Sequence, residues 1–176
     1  VRRGRFLAIG AVALVWVLGG CAPVNPPQSS EQGAEPGAAI QFSFGTIDGG
    51  ELSSDTTRGR TTALLFVTTY DLPSQAEAQL LRDVLARHKP LANGAIVMLE
   101  PPQAAPLARV WADAIGLKLP IAMASPGLSS GDSELGQIGG VPTLVVLDRR
   151  GRLVGKHEGA LSREQITESL KRAERP

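Results

Sequence analysis

Three aliphatic runs set the frame of this chain: "TTALLFVT" at 62–69, "AIVML" at 95–99 and "TLVVLD" at 143–148. Each is rich in strand formers and nearly free of charge, the pattern of strands buried on both faces. Helical spacing lies between them. Leu80, Leu81, Val84 and Leu85 recur on one face of a segment that stops at Lys89-Pro90. After Pro106, which suits a first helical turn, Leu107, Val110, Trp111 and Ala114 follow i, i+3, i+4, i+7 spacing, and Gly116 closes the segment. Strand–helix–strand alternation of this kind calls for parallel strands joined by right-handed crossovers.

The flanks complete the pattern. Phe42 and Phe44 alternate with polar residues ahead of an Asp48-Gly49-Gly50 turn, which predicts an N-terminal hairpin. Leu119 to Met123 is a short extended stretch. Residues 125–140 are glycine-rich and irregular, with one helical turn expected around Leu135. Arg149-Arg150-Gly151 turns the third run into an antiparallel partner over 152–156. A last helix starts at Ser162 with a capping box to Gln165 and a Leu161–Ile166 staple, and it faces Ile166 and Leu170 inward. The reading is one α/β domain over 40–176, a central mixed sheet flanked by helices and extended by a hairpin. Aromatics are only 4% of the chain, so its core must be mostly aliphatic.

Residues 1–20 read as a signal peptide. Arg2, Arg3 and Arg5 precede an uncharged apolar run from Phe6 to Val17, too short to span a bilayer. Val1 is read as an alternative start, which makes the chain a precursor. Residues 21–39 are poor in apolar side chains and rich in proline, glycine and serine, as in a flexible tether. Removing the leader leaves 15 basic against 17 acidic residues, so neither half of the balance argues for nucleic-acid binding. The single cysteine, Cys21, excludes an internal disulfide.

Leu18-Gly19-Gly20-Cys21 resembles the lipobox of bacterial lipoproteins. The resemblance implies lipidation of Cys21 and cleavage before it, so that the membrane becomes a partner through the attached acyl chains. It places the protein in the cell envelope, facing the periplasm or extracytoplasmic space. Ala22 rather than Asp after the cysteine implies the outer membrane over the inner.

The element order and three motifs resemble the thioredoxin fold, in its TlpA/ResA-like branch, from Ile40 to the C-terminus. The motifs are "DGGEL…RGR" at 48–60, "LLFVTTYDLPSQAEAQLL" at 64–81 and "GGVPTLVVLDRRGRLV" at 139–154. In the second, Phe66, Tyr70, Pro73 and Glu77 match family positions, while the two catalytic cysteines fall on Asp71 and Ser74. The family's buried acidic position falls on Leu65. The third motif implies a cis Val141-Pro142 bond facing residues 70–74. Dithiol exchange needs a thiolate that attacks a disulfide sulfur, and a carboxylate with a hydroxyl cannot do this. What remains is a helix N-terminus that stabilises the Asp71 carboxylate, a Ser74/Glu77 capping box, and a groove of Tyr70, Asp71, Leu72, Pro73, Ser74, Val141 and Pro142.

Other chemistry finds little support. A Ser74 nucleophile would need a histidine base, and His88 and His157 both read as surface residues. Met98 and Met123 read as core, so neither a metal nor another cofactor is expected. The expected function is a redox-inactive lipoprotein that binds exported proteins or unfolded chains as a chaperone or assembly factor. The alternative is a TlpA/ResA-type thiol-disulfide oxidoreductase in envelope redox homeostasis or cytochrome c maturation, or a chain that works with a partner supplying the thiols.

Overall fold

The computed structural model describes residues 37–128, 131 and 133–175. The expected leader, Cys21 and most of the tether lie outside the described residues. The elements in chain order are β1 (Ser43–Gly45), β2 (Glu51–Ser53), the single-turn α1 (Ser54–Thr57), β3 (Thr62–Val67), α2 (Leu72–Arg87) and β4 (Asn93–Met98). They continue with α3 (Ala105–Ala114), β5 (Ile121–Met123), β6 (Thr143–Leu147), β7 (Leu153–Glu158) and α4 (Arg163–Glu174).

Five strands form one mixed sheet in the order β5-β4-β3-β6-β7, and β1 pairs with β2 as a separate hairpin. The pair β3–β4 is parallel, while β6 and β7 close the sheet antiparallel. All six residues of β3 are buried, and its period of two divides them between two cores. Ala63, Leu65 and Val67 join the side covered by α2, α3 and α4. Leu64 and Phe66 join the side covered by the hairpin and by Leu128, Leu135 and Ile138. Two successive right-handed crossovers stepping the same way along the sheet put α2 and α3 on one face. Phe44 packs edge-on against Phe66 with ring centroids 6.4 Å apart, which fixes the hairpin to the sheet.

Helix α2 is the structural hub. It is tied to α4 at both ends: Glu77 accepts the Leu161 N–H at 3.0 Å, and His88 Nε2 meets Glu174 Oε1 at 2.6 Å. Pairing 77 with 161 and 88 with 174 makes the two helices run side by side in the same direction.

Two local expectations need correction. The buried face of α3 is Ala108, Trp111 and Ala112, continued by Ile115, whereas Leu107, Val110 and Ala114 point to solvent. Both stripes have helical spacing, and the sheet selected the one holding the small alanines that let the helix lie close. Around Leu135 only one hydrogen-bonded turn forms, closed by the Gly136 N–H on the Ser133 carbonyl at 2.8 Å, and the 3-10 helix sits earlier, at Pro126–Leu128. At the turn into β7, Arg152 Nε donates to Asp148 Oδ2 at 2.6 Å. The final helix follows expectation, with the reciprocal Ser162–Gln165 capping box in place.

Candidate functional site

Strand β3 ends at Val67, and residues 68–71 turn into α2. Asp71 is the N-cap, in extended conformation, and its Oδ2 accepts the Ser74 N–H at 2.7 Å. Its carboxylate therefore lies at the positive end of a 16-residue helix, and Pro73 in the first turn sacrifices no needed donor. The expected Ser74/Glu77 capping box is absent. The helix begins earlier than that reading required, so Ser74 is already three residues inside it and cannot be the cap.

Ser74 is fully buried, and its Oγ has no hydrogen-bond partner. One turn on, Glu77 is only 2% exposed, and its Oε1 is likewise unpartnered. Burial pushes the Glu77 carboxyl above the ordinary glutamate range, against the opposing effect of the Leu161 N–H. The fold therefore favours the protonated acid. Stability from this group is complete at low pH and falls as pH rises through the raised value. We expect Glu77→Gln, which keeps an acceptor for Leu161, to stabilise the protein by about 1 kcal/mol at pH 7. Thermal unfolding across pH checks this: the variant and the wild type should converge below about pH 4. A variant less stable than wild type at pH 7 would contradict it.

The register Phe66↔Thr143 brings Pro142 to the same end of the sheet as the 68–71 turn. The Val141-Pro142 bond is cis, as the resemblance implied; Lys89-Pro90 is cis as well. Pro142 is buried, and its carbonyl accepts the Gly159 N–H at 2.8 Å. Val141 is half-buried and makes no backbone hydrogen bond among the described residues. Beside it, Tyr70 is 82% and Leu72 78% exposed, and Pro73 is exposed too. Single exposed apolar side chains are ordinary, but Tyr70, Leu72 and Pro73 cluster at one turn, and it is such clustering that is informative.

One site residue escaped sequence reasoning. Glu100 Oε1 accepts the Thr69 N–H at 2.5 Å and so holds the turn before Tyr70. Its Oε2 is buried without a partner, as is Thr68 Oγ1. The available signal was topological: parallel neighbours end at the same edge, so the residues after β4 must lie beside those after β3.

Positions 71 and 74 bring a carboxylate and a hydroxyl, not thiols, to the junction. None of the described residues is a cysteine, and Leu65 is fully buried in the helix-side core. Nor does α2 bring a histidine base to Ser74. His88 lies fourteen residues along α2 from Ser74, about 21 Å away. Both histidines depart from the expected surface positions. His88 is 6% exposed and bonded to Glu174, and half-buried His157 bonds Ser169 Oγ through Nε2 at 3.1 Å.

No family model matches the chain, and no curated protein sequence matches it. Solved structures do resemble it. A thiol:disulfide interchange protein of the thioredoxin family from Chlorobium tepidum is 28% identical with a TM-score of 0.62, over 80% of this chain and 97% of that one. Mycobacterium tuberculosis dsbF is 20% identical with a TM-score of 0.65, over 77% of this chain and 96% of that one. The exposed lipoprotein thioredoxin of Streptococcus pneumoniae is 18% identical with a TM-score of 0.61, over 74% of this chain and 98% of that one.

Proposed function

We propose that this chain, a thioredoxin-fold domain of the redoxin branch, binds extended segments of exported proteins and performs no thiol exchange. The observation that carries the reading is the junction itself. Asp71 and Ser74 stand where exchange needs sulfur, yet the helix N-terminus, the cis proline and the open Tyr70–Leu72 surface remain. An extended chain passing between Tyr70 and Val141 would find an unbonded backbone to pair with and apolar side chains to cover. Asp71 would repel an acidic segment and favour a neutral or basic one. Such a protein acts as a chaperone or assembly factor. The competing reading is thiol-disulfide exchange with thiols from a partner, and it is favoured by the kind of protein its solved neighbours are.

A defined client tests the reading: reduced, carboxymethylated lactalbumin, which is unfolded and has no free thiol. We expect the leaderless chain to bind it saturably without any reductant. Binding that appears only with a client bearing free or disulfide-bonded cysteines would support the competing reading.

Lipidation at Cys21 places this activity at the envelope membrane, the outer one where a cell has two. Cys21→Ser is expected to move most of the protein from membrane to soluble or unprocessed fractions, because the acyl chains supply the stable anchor. Fractionation with immunoblotting checks this, and an unchanged membrane fraction would contradict it.

A further inference from the structure

The geometry points to a second surface, at the opposite pole from the groove, that docks on anionic phospholipid headgroups. It builds on the tethered reading above, and its test is separable from client binding. The six-residue length of β3 separates the poles by about 17–20 Å. At the far pole, Thr62, Asn93 and Leu147 are register partners, and the Gly59 N–H bonds the Arg149 carbonyl at 2.9 Å. Two clefts open there, on either side of the Lys89-Pro90 peptide. Arg87, Lys89 and Lys171 line one, and Arg60 and Arg149 line the other. All five side chains belong to exposed residues, and none makes an ion pair among the described residues.

Three acids at this pole are already matched to cations, and Glu51, in a cleft with Thr62 and Asn93, is bonded to the Ser43 hydroxyl. Asp55 meets Arg58 at 3.6 Å, Asp148 meets Arg152 at 2.6 Å, and Glu174 is bound to His88. The five cations are therefore a local surplus, although residues 40–176 hold 15 basic and 15 acidic side chains. The groove end carries the opposite sign, with Asp71, Glu100 and Glu158. A neutral domain with its charge so divided orients in the field of an anionic surface. Leu91, 55% exposed in the same cleft as Arg60, adds an apolar contact for the interfacial region.

The chain's own attachment agrees. Ala39 bridges to Arg152, and the Ile40 N–H bonds the Gly151 carbonyl at 2.8 Å, so the N-terminal segment joins the domain at this pole. The fifteen residues between Cys21 and Gly37 reach at most about 50 Å when extended, which permits the pole to lie on the bilayer. Docked this way, the groove faces away from the membrane and is open to clients.

Vesicle co-sedimentation of the unlipidated mature chain (residues 21–176 with Cys21→Ser) tests this. Its two cores come from residues 40–173, so the domain supplies its own packing. We expect binding to phosphatidylglycerol/phosphatidylcholine vesicles that weakens as salt is raised, with none to pure phosphatidylcholine. Replacing Arg60, Arg87, Lys89, Arg149 and Lys171 by Gln should reduce it about tenfold or more at an unchanged melting temperature. Should that variant lose its fold, the triple Lys89/Arg149/Lys171→Gln variant gives the same reading. Tyr70→Ala/Leu72→Ala should leave vesicle binding intact while it lowers client binding. Equal binding to both vesicle types, or binding that survives loss of the five charges, would overturn the proposal.

Discussion

Asp71→Cys/Ser74→Cys is expected to give the chain insulin-reducing turnover. The two positions are the N-cap and the third residue of α2, so a thiol at 71 sits in the helix N-terminal field that stabilises a thiolate. A thiol at 74 is shielded from solvent, as a resolving partner should be. The structural cost is small. Losing the Asp71 cap costs about 1 kcal/mol. Ser74→Cys replaces an unpartnered buried hydroxyl with a group that behaves as a small hydrophobe, which offsets part of that loss. Each single variant should stay inactive, because exchange requires an attacking and a resolving sulfur. Thiol titration of the oxidised double variant should find no free thiol at 71 or 74. Two titratable thiols there would show that the junction no longer holds the redox geometry.

Tyr70→Ala/Leu72→Ala is expected to weaken binding of the carboxymethylated client by about 30-fold or more. Aromatic and aliphatic anchors of this kind contribute about 2 kcal/mol or more when they dominate an interface. Fold stability should move by less than about 0.5 kcal/mol, since both side chains are open to solvent and support no core. Leu107→Ala/Val110→Ala provides the matched control. Those residues are 53% and 66% exposed on α3 and should leave affinity unchanged. Fluorescence titration of labelled client distinguishes a specific surface from general stickiness: equal losses from both pairs would indicate the latter.

Much of this architecture could be read before any coordinates. Runs such as "TALLFV" are short and rich in strand formers, which favours a strand covered on both faces, and the intervening helical spacing then favours parallel pairing. The Ser162–Gln165 box was legible because both partners are local. The failures share a cause: each depended on what packs from a distance. Leu107/Val110 and Ala108/Ala112 are equally good helical stripes, and only closeness to the sheet chose between them. His88 reads as polar between Arg87 and Lys89, yet Glu174 from α4 meets it and allows its burial. Ser74 and Glu77 have the spacing of a cap, but Asp71 begins the helix three residues sooner. Glu100 was invisible as a site residue until β3 and β4 were aligned.

The geometry of the junction rests on the same long-range order. The groove depends on the β3–α2 turn, the Phe66↔Thr143 register and the cap at Asp71, none of which involves sulfur.

The most direct measurement is insulin reduction by the unaltered, leaderless chain with dithiothreitol as electron donor. The account predicts a precipitation rate equal to dithiothreitol alone, while the Asp71→Cys/Ser74→Cys variant assayed alongside exceeds it. A wild-type rate above the dithiothreitol background would contradict the account.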